Sequence, residues 1–63
     1  MSYRQVERVL SANGWSLVRI KGSHHQFQHE ATKKTTTVPY HGSRDIAIGT
    51  LKSIEKQTGL SLR

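Results

Sequence analysis

The stretch Trp15-Ser16-Leu17-Val18-Arg19-Ile20-Lys21-Gly22-Ser23-His24-His25-Gln26-Phe27-Gln28-His29 decides how this chain folds. Its first seven residues are rich in aromatic and β-branched types, which suit a pleated strand. Gly22-Ser23 is turn chemistry, and His24 to His29 reads as a returning strand with Phe27 as its one large apolar residue. The alternation in the first strand is imperfect: Trp15 and Leu17 share one parity, Val18 and Ile20 the other. Either a bulge shifts the register or both faces are partly covered.

Outward from this hairpin the remaining elements follow. Thr32-Lys33-Lys34 is a polar reversal, and Thr35-Thr36-Thr37-Val38 is a third strand that Pro39 ends. Upstream, Ser2 with Gln5 three residues later forms a capping box. The helix it opens carries Tyr3, Val6, Val9 and Leu10 as an apolar stripe, and Asn13-Gly14 stops it. Downstream of the Tyr40–Asp45 loop, a second helix begins between Asp45 and Thr50. It carries Ile48, Leu51, Ile54 and Thr58 at helical spacing, with Gly59 at its left-handed end and Leu60 expected to make the apolar contact of a Schellman cap.

The predicted class is therefore α+β, in the order α-β-β-β-α, with a three-stranded antiparallel sheet and both helices packed on one face. The other sheet face is left open. The 63 residues form one expected domain, residues 1–63, and a chain this short buries only about 60% of its unfolded surface.

Composition narrows the function. Ten Lys and Arg stand against four Asp and Glu, a formal net charge of +6, which favours a polyanionic partner. No apolar run approaches the ~20 residues of a membrane-spanning helix. Neither helix suits a membrane surface, and no signal peptide is visible. Cysteine is absent, which excludes disulfides and thiolate metal sites and agrees with an expected cytoplasmic location. Nucleic acid or an acidic protein remain as partners; no small-molecule ligand is expected.

Strand parity separates the histidines. With Phe27 inward, His25 and His29 share its side, while His24, Gln26 and Gln28 face outward. His25 and His29 then lie about 13 Å apart at ~3.3 Å per residue. Zinc–nitrogen bonds are about 2 Å, so no metal and no cofactor is expected. Histidine titrates near neutrality and can both take and give a proton. A ribonuclease uses such a group to deprotonate a ribose 2′-hydroxyl, with cations offsetting phosphate charge. Arg19, Lys21 and Ser23 lie close to His24 in sequence. Taken alone, an exposed histidine beside a turn is more often an ordinary surface residue.

The residues also carry a family resemblance. Gly22-Ser23-His24-His25-Gln26-Phe27 resembles the Gly-Ser-His-x-x-aromatic signature of the HicA (YcfA-like) mRNA interferase toxins. Val38-Pro39 and His41-Gly42-Ser43 continue it. Gly49-Thr50-Leu51-Lys52-Ser53-Ile54-Glu55-Lys56-Gln57-Thr58-Gly59-Leu60 is similar to the family's Gly-Thr-Leu-x-x-Ile-x-Lys-Gln-x-Gly-Leu ending. Ile48 stands where many members have proline. The resemblance implies a fold like double-stranded RNA-binding domains, metal-independent cleavage of mRNA by His24, and inhibition by an acidic-surfaced antitoxin of the HicB type. His25 is the rival for the catalytic role.

The expected RNA-contacting residues are Arg19, Lys21, Gly22, Ser23, Lys52 and Lys56. For Gly22 the leading reading is a hairpin glycine, with close approach of RNA as a by-product. Ser23 either holds a phosphate or caps the turn. Lys52 and Lys56 track phosphates or meet antitoxin carboxylates. Trp15 and Phe27 read as core rather than as base-stacking platforms. The alternative function is a non-catalytic double-stranded RNA-binding module, although the uncharged Ile46-Ala47-Ile48-Gly49 lacks the lysine cluster expected there. A third reading is an interaction protein that binds only an acidic partner.

Overall fold

The computed structural model describes residues 1–62; Arg63, the last residue of the expected domain, lies outside the described residues. Five elements follow one another: α1 (Tyr3–Ala12), β1 (Trp15–Lys21), β2 (His24–His29), β3 (Thr35–Pro39) and α2 (Ile48–Thr58). The strands form one antiparallel sheet in the order β1-β2-β3. This is the α-β-β-β-α arrangement that the apolar periodicities predict.

Local chemistry sets the ends of the helices. Ser2 Oγ accepts from the Gln5 backbone N–H at 3.2 Å, and Gln5 Oε1 accepts from the Ser2 N–H at 2.8 Å. Two otherwise orphaned donors of α1 are thereby satisfied, as a capping box requires. Helix α2 starts from Ala47 with no side-chain cap and ends at Gly59, whose φ of 76° is left-handed. The Gly59 N–H donates to the Glu55 carbonyl at 2.7 Å, and the Leu60 N–H goes to Thr58 Oγ1 at 3.1 Å. That is the simpler left-handed ending rather than the full Schellman pair, although Leu60 does pack against the core.

One core holds the layers together. Tyr3, Val6 and Leu10 of α1, Leu51 and Ile54 of α2, and Trp15, Phe27 and Val38 of the sheet are all buried in it. Thr36 is the buried polar residue among them, and its hydroxyl donates to Gln57 Oε1 at 2.6 Å, pinning β3 to α2. Two residues without periodic neighbours complete the core. Ile46 is buried ahead of α2, where its N–H meets the Met1 carbonyl at 2.7 Å and Ser2 bridges to Asp45. Leu62 is buried after α2, its N–H bound to Glu55 Oε2 at 2.7 Å. Ile48 departs from its expected stripe and is 62% exposed. It opens the first turn of α2, before the helix settles onto the sheet at Leu51.

The ambiguous parity of β1 resolves as a bulge. Leu17 pairs with Phe27, but the next pair is Arg19 with Gln26, so Val18 has no partner. Leu17, Val18 and Ile20 remain exposed, so the second option, cover on both faces, does not hold. No helix among the described residues is long and apolar enough to cross a membrane.

Candidate active site

The bulge determines which side chains meet. Residues directly opposite across an antiparallel pair project to the same face, with Cβ atoms about 4.5–5.5 Å apart. Downstream of Val18 the pairs are Arg19 with Gln26, Ile20 with His25, and Lys21 with His24. Two cations of β1 thus share the open face with His24, and the apolar Ile20 shares the other with His25. On the far side of β2, His24 pairs with Pro39 and Gln26 with Thr37. Arg19, Lys21, His24, Gln26 and Thr37 together line a shallow hollow of about 230 Å³.

Gly22 and Ser23 bring this about. Lys21 and His24 are already paired, so only two residues make the turn. Gly22 has a φ of 60° and opens into space, where an added Cβ would meet nothing. A positive φ at the first turn position is the conformation that a two-residue hairpin asks of glycine. Ser23 is half-buried, and its carbonyl accepts from the Tyr40 N–H at 2.7 Å, which ties the loop after β3 to the residue before His24.

The four histidines occupy four different settings. His24 is exposed within the cationic hollow. Neither Arg19 nor Lys21 has a carboxylate within ion-pair distance among the described residues. His25 is half-buried and bound, its Nδ1 2.8 Å from the Tyr3 hydroxyl, which also donates to Glu7 Oε2 at 3.2 Å. The phenol has one proton to give; when Glu7 takes it, His25 Nδ1 carries its own and donates to the phenol oxygen. Burial, reinforced by the neighbouring Glu7 carboxylate, pushes the Tyr3 hydroxyl up to about 12. His29 caps the β2–β3 loop: its Nδ1 accepts the N–H groups of Ala31 at 3.1 Å and Thr32 at 3.3 Å, and its ring meets Trp15 edge-on. His41 lies exposed in the loop before α2. Among the described residues, no three His, Asp or Glu side chains are grouped so as to hold a metal ion.

Arg19, Lys21 and His24 are therefore brought together, and Gly22 and Ser23 form the turn beside them. Lys52 and Lys56 are exposed on α2 and do not line the hollow. Gln26 and Thr37 do, although sequence reading assigned neither a role. The signal for Gln26 was its shared parity with His24; Thr37 needed the β2–β3 register. Trp15 and Phe27 are buried, at 4% and 1% exposure.

Comparisons with known proteins place the chain in a family. The family model described as the HicA toxin of bacterial toxin–antitoxin systems matches residues 3–60. The chain is also 40% identical over 60 residues to a probable mRNA interferase HicA of Pseudomonas fluorescens (strain Pf0-1), covering 95% of this chain and 97% of that protein. A match that begins at α1 and runs past α2 takes in every element that builds the hollow, and the chain belongs to the HicA family of toxins of bacterial toxin–antitoxin systems.

Proposed function

We propose that this single-domain chain is an endoribonuclease toxin that cleaves mRNA in the cytoplasm, with His24 as its acid–base group. The observation that carries the reading is the meeting of His24, Lys21 and Arg19 on one exposed sheet face. The three residues match the needs of phosphodiester cleavage through a ribose 2′-hydroxyl. His24 takes the 2′-hydroxyl proton, and the 2′-oxygen attacks the adjacent phosphorus. Arg19 and Lys21 offset the charge that builds on the phosphate oxygens. The bond to the 5′-oxygen breaks, that oxygen takes up a proton from water, and the products are a 2′,3′-cyclic phosphate and a 5′-hydroxyl. Histidine supplies the base, arginine and lysine offset the charge, and water supplies the leaving group's proton, so the scheme calls for no metal.

Gly22 and Ser23 hold the turn against which the RNA backbone passes, and Lys52 and Lys56 supply outlying charge. The inhibitor is an antitoxin of the HicB type with an acidic surface. The +6 net charge supports such a partner, because opposite potentials accelerate association. A domain this small also gains stability when a partner binds only its folded form.

The test is expression of the wild type beside His24→Ala, with transcript ends mapped and EDTA added to the purified reaction. Growth arrest and new 5′-hydroxyl ends are expected from the wild type, with or without EDTA, and neither from the variant. Unchanged cleavage by His24→Ala overturns the assignment. Cleavage lost only in His25→Ala moves it to the neighbouring residue. Tight, salt-sensitive duplex binding without cleavage favours the non-catalytic RNA-binding module.

A further inference from the structure

The hollow at His24 is not the largest depression on the molecule. A second one, of about 440 Å³, lies between the first turns of α1 and the loop after β3. That volume falls in the range of roughly 300–1,000 Å³ typical of small-ligand clefts, which the 230 Å³ hollow does not reach. Tyr3, Arg4, Glu7, Tyr40 and Ser43 are among its lining residues. Its aromatic wall is a braced assembly. Tyr40 stacks on His25 with ring centres 5.1 Å apart, and Tyr3 meets both rings edge-on at 4.9 and 5.0 Å. Tyr40 is nevertheless 47% exposed, so ring surface remains available to a ligand.

The polar lining specifies what such a ligand must offer. Glu7 is acceptor-only when ionised, and its two oxygens provide more acceptor sites than the single Tyr3 hydroxyl uses. Arg4 is exposed and, among the described residues, has no carboxylate within ion-pair distance. The matching ligand therefore has a flat ring, two adjacent hydrogen-bond donors and an anionic group. Guanine has adjacent donors, N1–H and the N2 amino group, along its Watson–Crick edge. Uracil flanks its one imino donor with acceptors, and adenine and cytosine place a ring acceptor beside the amino group. A phosphate supplies the anion.

The depression is also tied to the hollow. Pro39 pairs with His24, Tyr40 follows Pro39, and the Tyr40 N–H is bound to the carbonyl of Ser23. Both sites lie at the end of the sheet where β2 begins and β3 ends, His24 on the open face and the Tyr3–His25–Tyr40 wall on the other, so a strand that passes around this end meets both.

We propose that this depression holds a guanine base of the RNA next to the cleaved phosphate. The base rests on the exposed Tyr40 ring, the Glu7 carboxylate takes its donor edge, and Arg4 meets a flanking phosphate. The inference rests on the nuclease reading, since it makes the depression a specificity site for the same strand.

The probe is a hexanucleotide of 2′-O-methyl uridines carrying one guanine, inosine or adenine, which has no free 2′-hydroxyl and so cannot be cleaved. Binding is followed by the NMR signals of Tyr40 and Ser43. Guanine should bind about tenfold tighter than adenine, as a good bidentate contact discriminates, with inosine in between because it lacks the N2 amino group. Glu7→Gln, which can keep a bond to Tyr3, should erase the guanine preference. Tyr40→Ala should weaken all three probes alike. Equal binding of guanine and adenine, or movement of His24 signals with Tyr40 and Ser43 still, overturns the proposal. So does loss of antitoxin binding in both variants with RNA binding untouched, which makes the depression a protein-docking site. Guanine-selective binding without cleavage of the matching ribo-oligonucleotide instead overturns the nuclease reading and leaves the base site standing.

Discussion

His24 and His25 are neighbours in the chain and opposites in the fold. His24 stands exposed among cations, while His25 is bound to the Tyr3 hydroxyl and stacked against Tyr40. The pleat alone separates them, since successive strand residues project to opposite faces. The pair teaches that one strand can present a cationic, exposed face and a packed face at once, each confined to its own parity.

The comparison is broken most directly by exchanging large losses between the two faces. His24→Ala should slow cleavage by about 10²–10⁴-fold, the usual share of a general acid–base group, and leave the melting temperature nearly unchanged. Phe27→Ala should instead lower the melting temperature, and lose cleavage only through unfolding. Phe27 is 1% exposed, and emptying such a site costs roughly 3–5 kcal/mol. At roughly 0.05–0.15 kcal/mol per residue, a 63-residue chain holds only several kcal/mol in reserve. Urea titration of this variant should show a largely unfolded chain. A melting temperature that falls in His24→Ala as far as in Phe27→Ala would end the division into two faces.

Alkaline titration sharpens the packed side. The fold favours the neutral phenol of Tyr3, held up to about 12, above the ordinary value near ~10. The associated stability is complete below the unfolded value and is lost as pH rises from about 10 towards 12, by on the order of 2 kcal/mol. Tyr3→Phe should lack that portion of the alkaline loss. Parallel stability curves for the two proteins across this window would show that the phenol is not so held.

Smaller effects are expected from His25→Ala and Gly22→Ala. The first removes the stack on Tyr40 and the bond to Tyr3, at a cost of about 1–2 kcal/mol, with cleavage reduced less than tenfold. The second places a Cβ at a φ of 60° in open space. It should cost about 1 kcal/mol through backbone strain alone, which thermal melts can resolve.

Much of this was legible in the residues, for identifiable reasons. The Ser2–Gln5 box, the stripe of α1 and the Gly22-Ser23 turn are local patterns whose physics lies within a few positions. The parity of Phe27 was enough to expose His24. The bulge was legible only as one of two options, because choosing it required knowing that no second layer covers Val18 and Ile20. Ile46 and Leu62 escaped altogether: each lies in an irregular segment, where burial comes from backbone bonds to Met1 and Glu55 rather than from a period. The Tyr3–His25–Tyr40 assembly was hidden for a related reason. It joins a helix, a strand and a loop, and a loop residue carries no periodicity to announce its direction.

Val18 shows how the face that carries His24 depends on register more than on residue identity. Were Val18 paired in register rather than bulged, Leu17 would still face Phe27, but the next pairs would set Val18 opposite Gln26, Arg19 opposite His25 and Ile20 opposite His24. The cations would turn towards the core, and an apolar side chain would take their place beside the histidine. Position 18 should therefore tolerate Thr, Ile or Lys with little loss of cleavage, and removing the residue should leave Arg19 opposite Gln26 and Lys21 opposite His24. In a strand of this length, one side chain that pairs with nothing sets which of its residues meet His24.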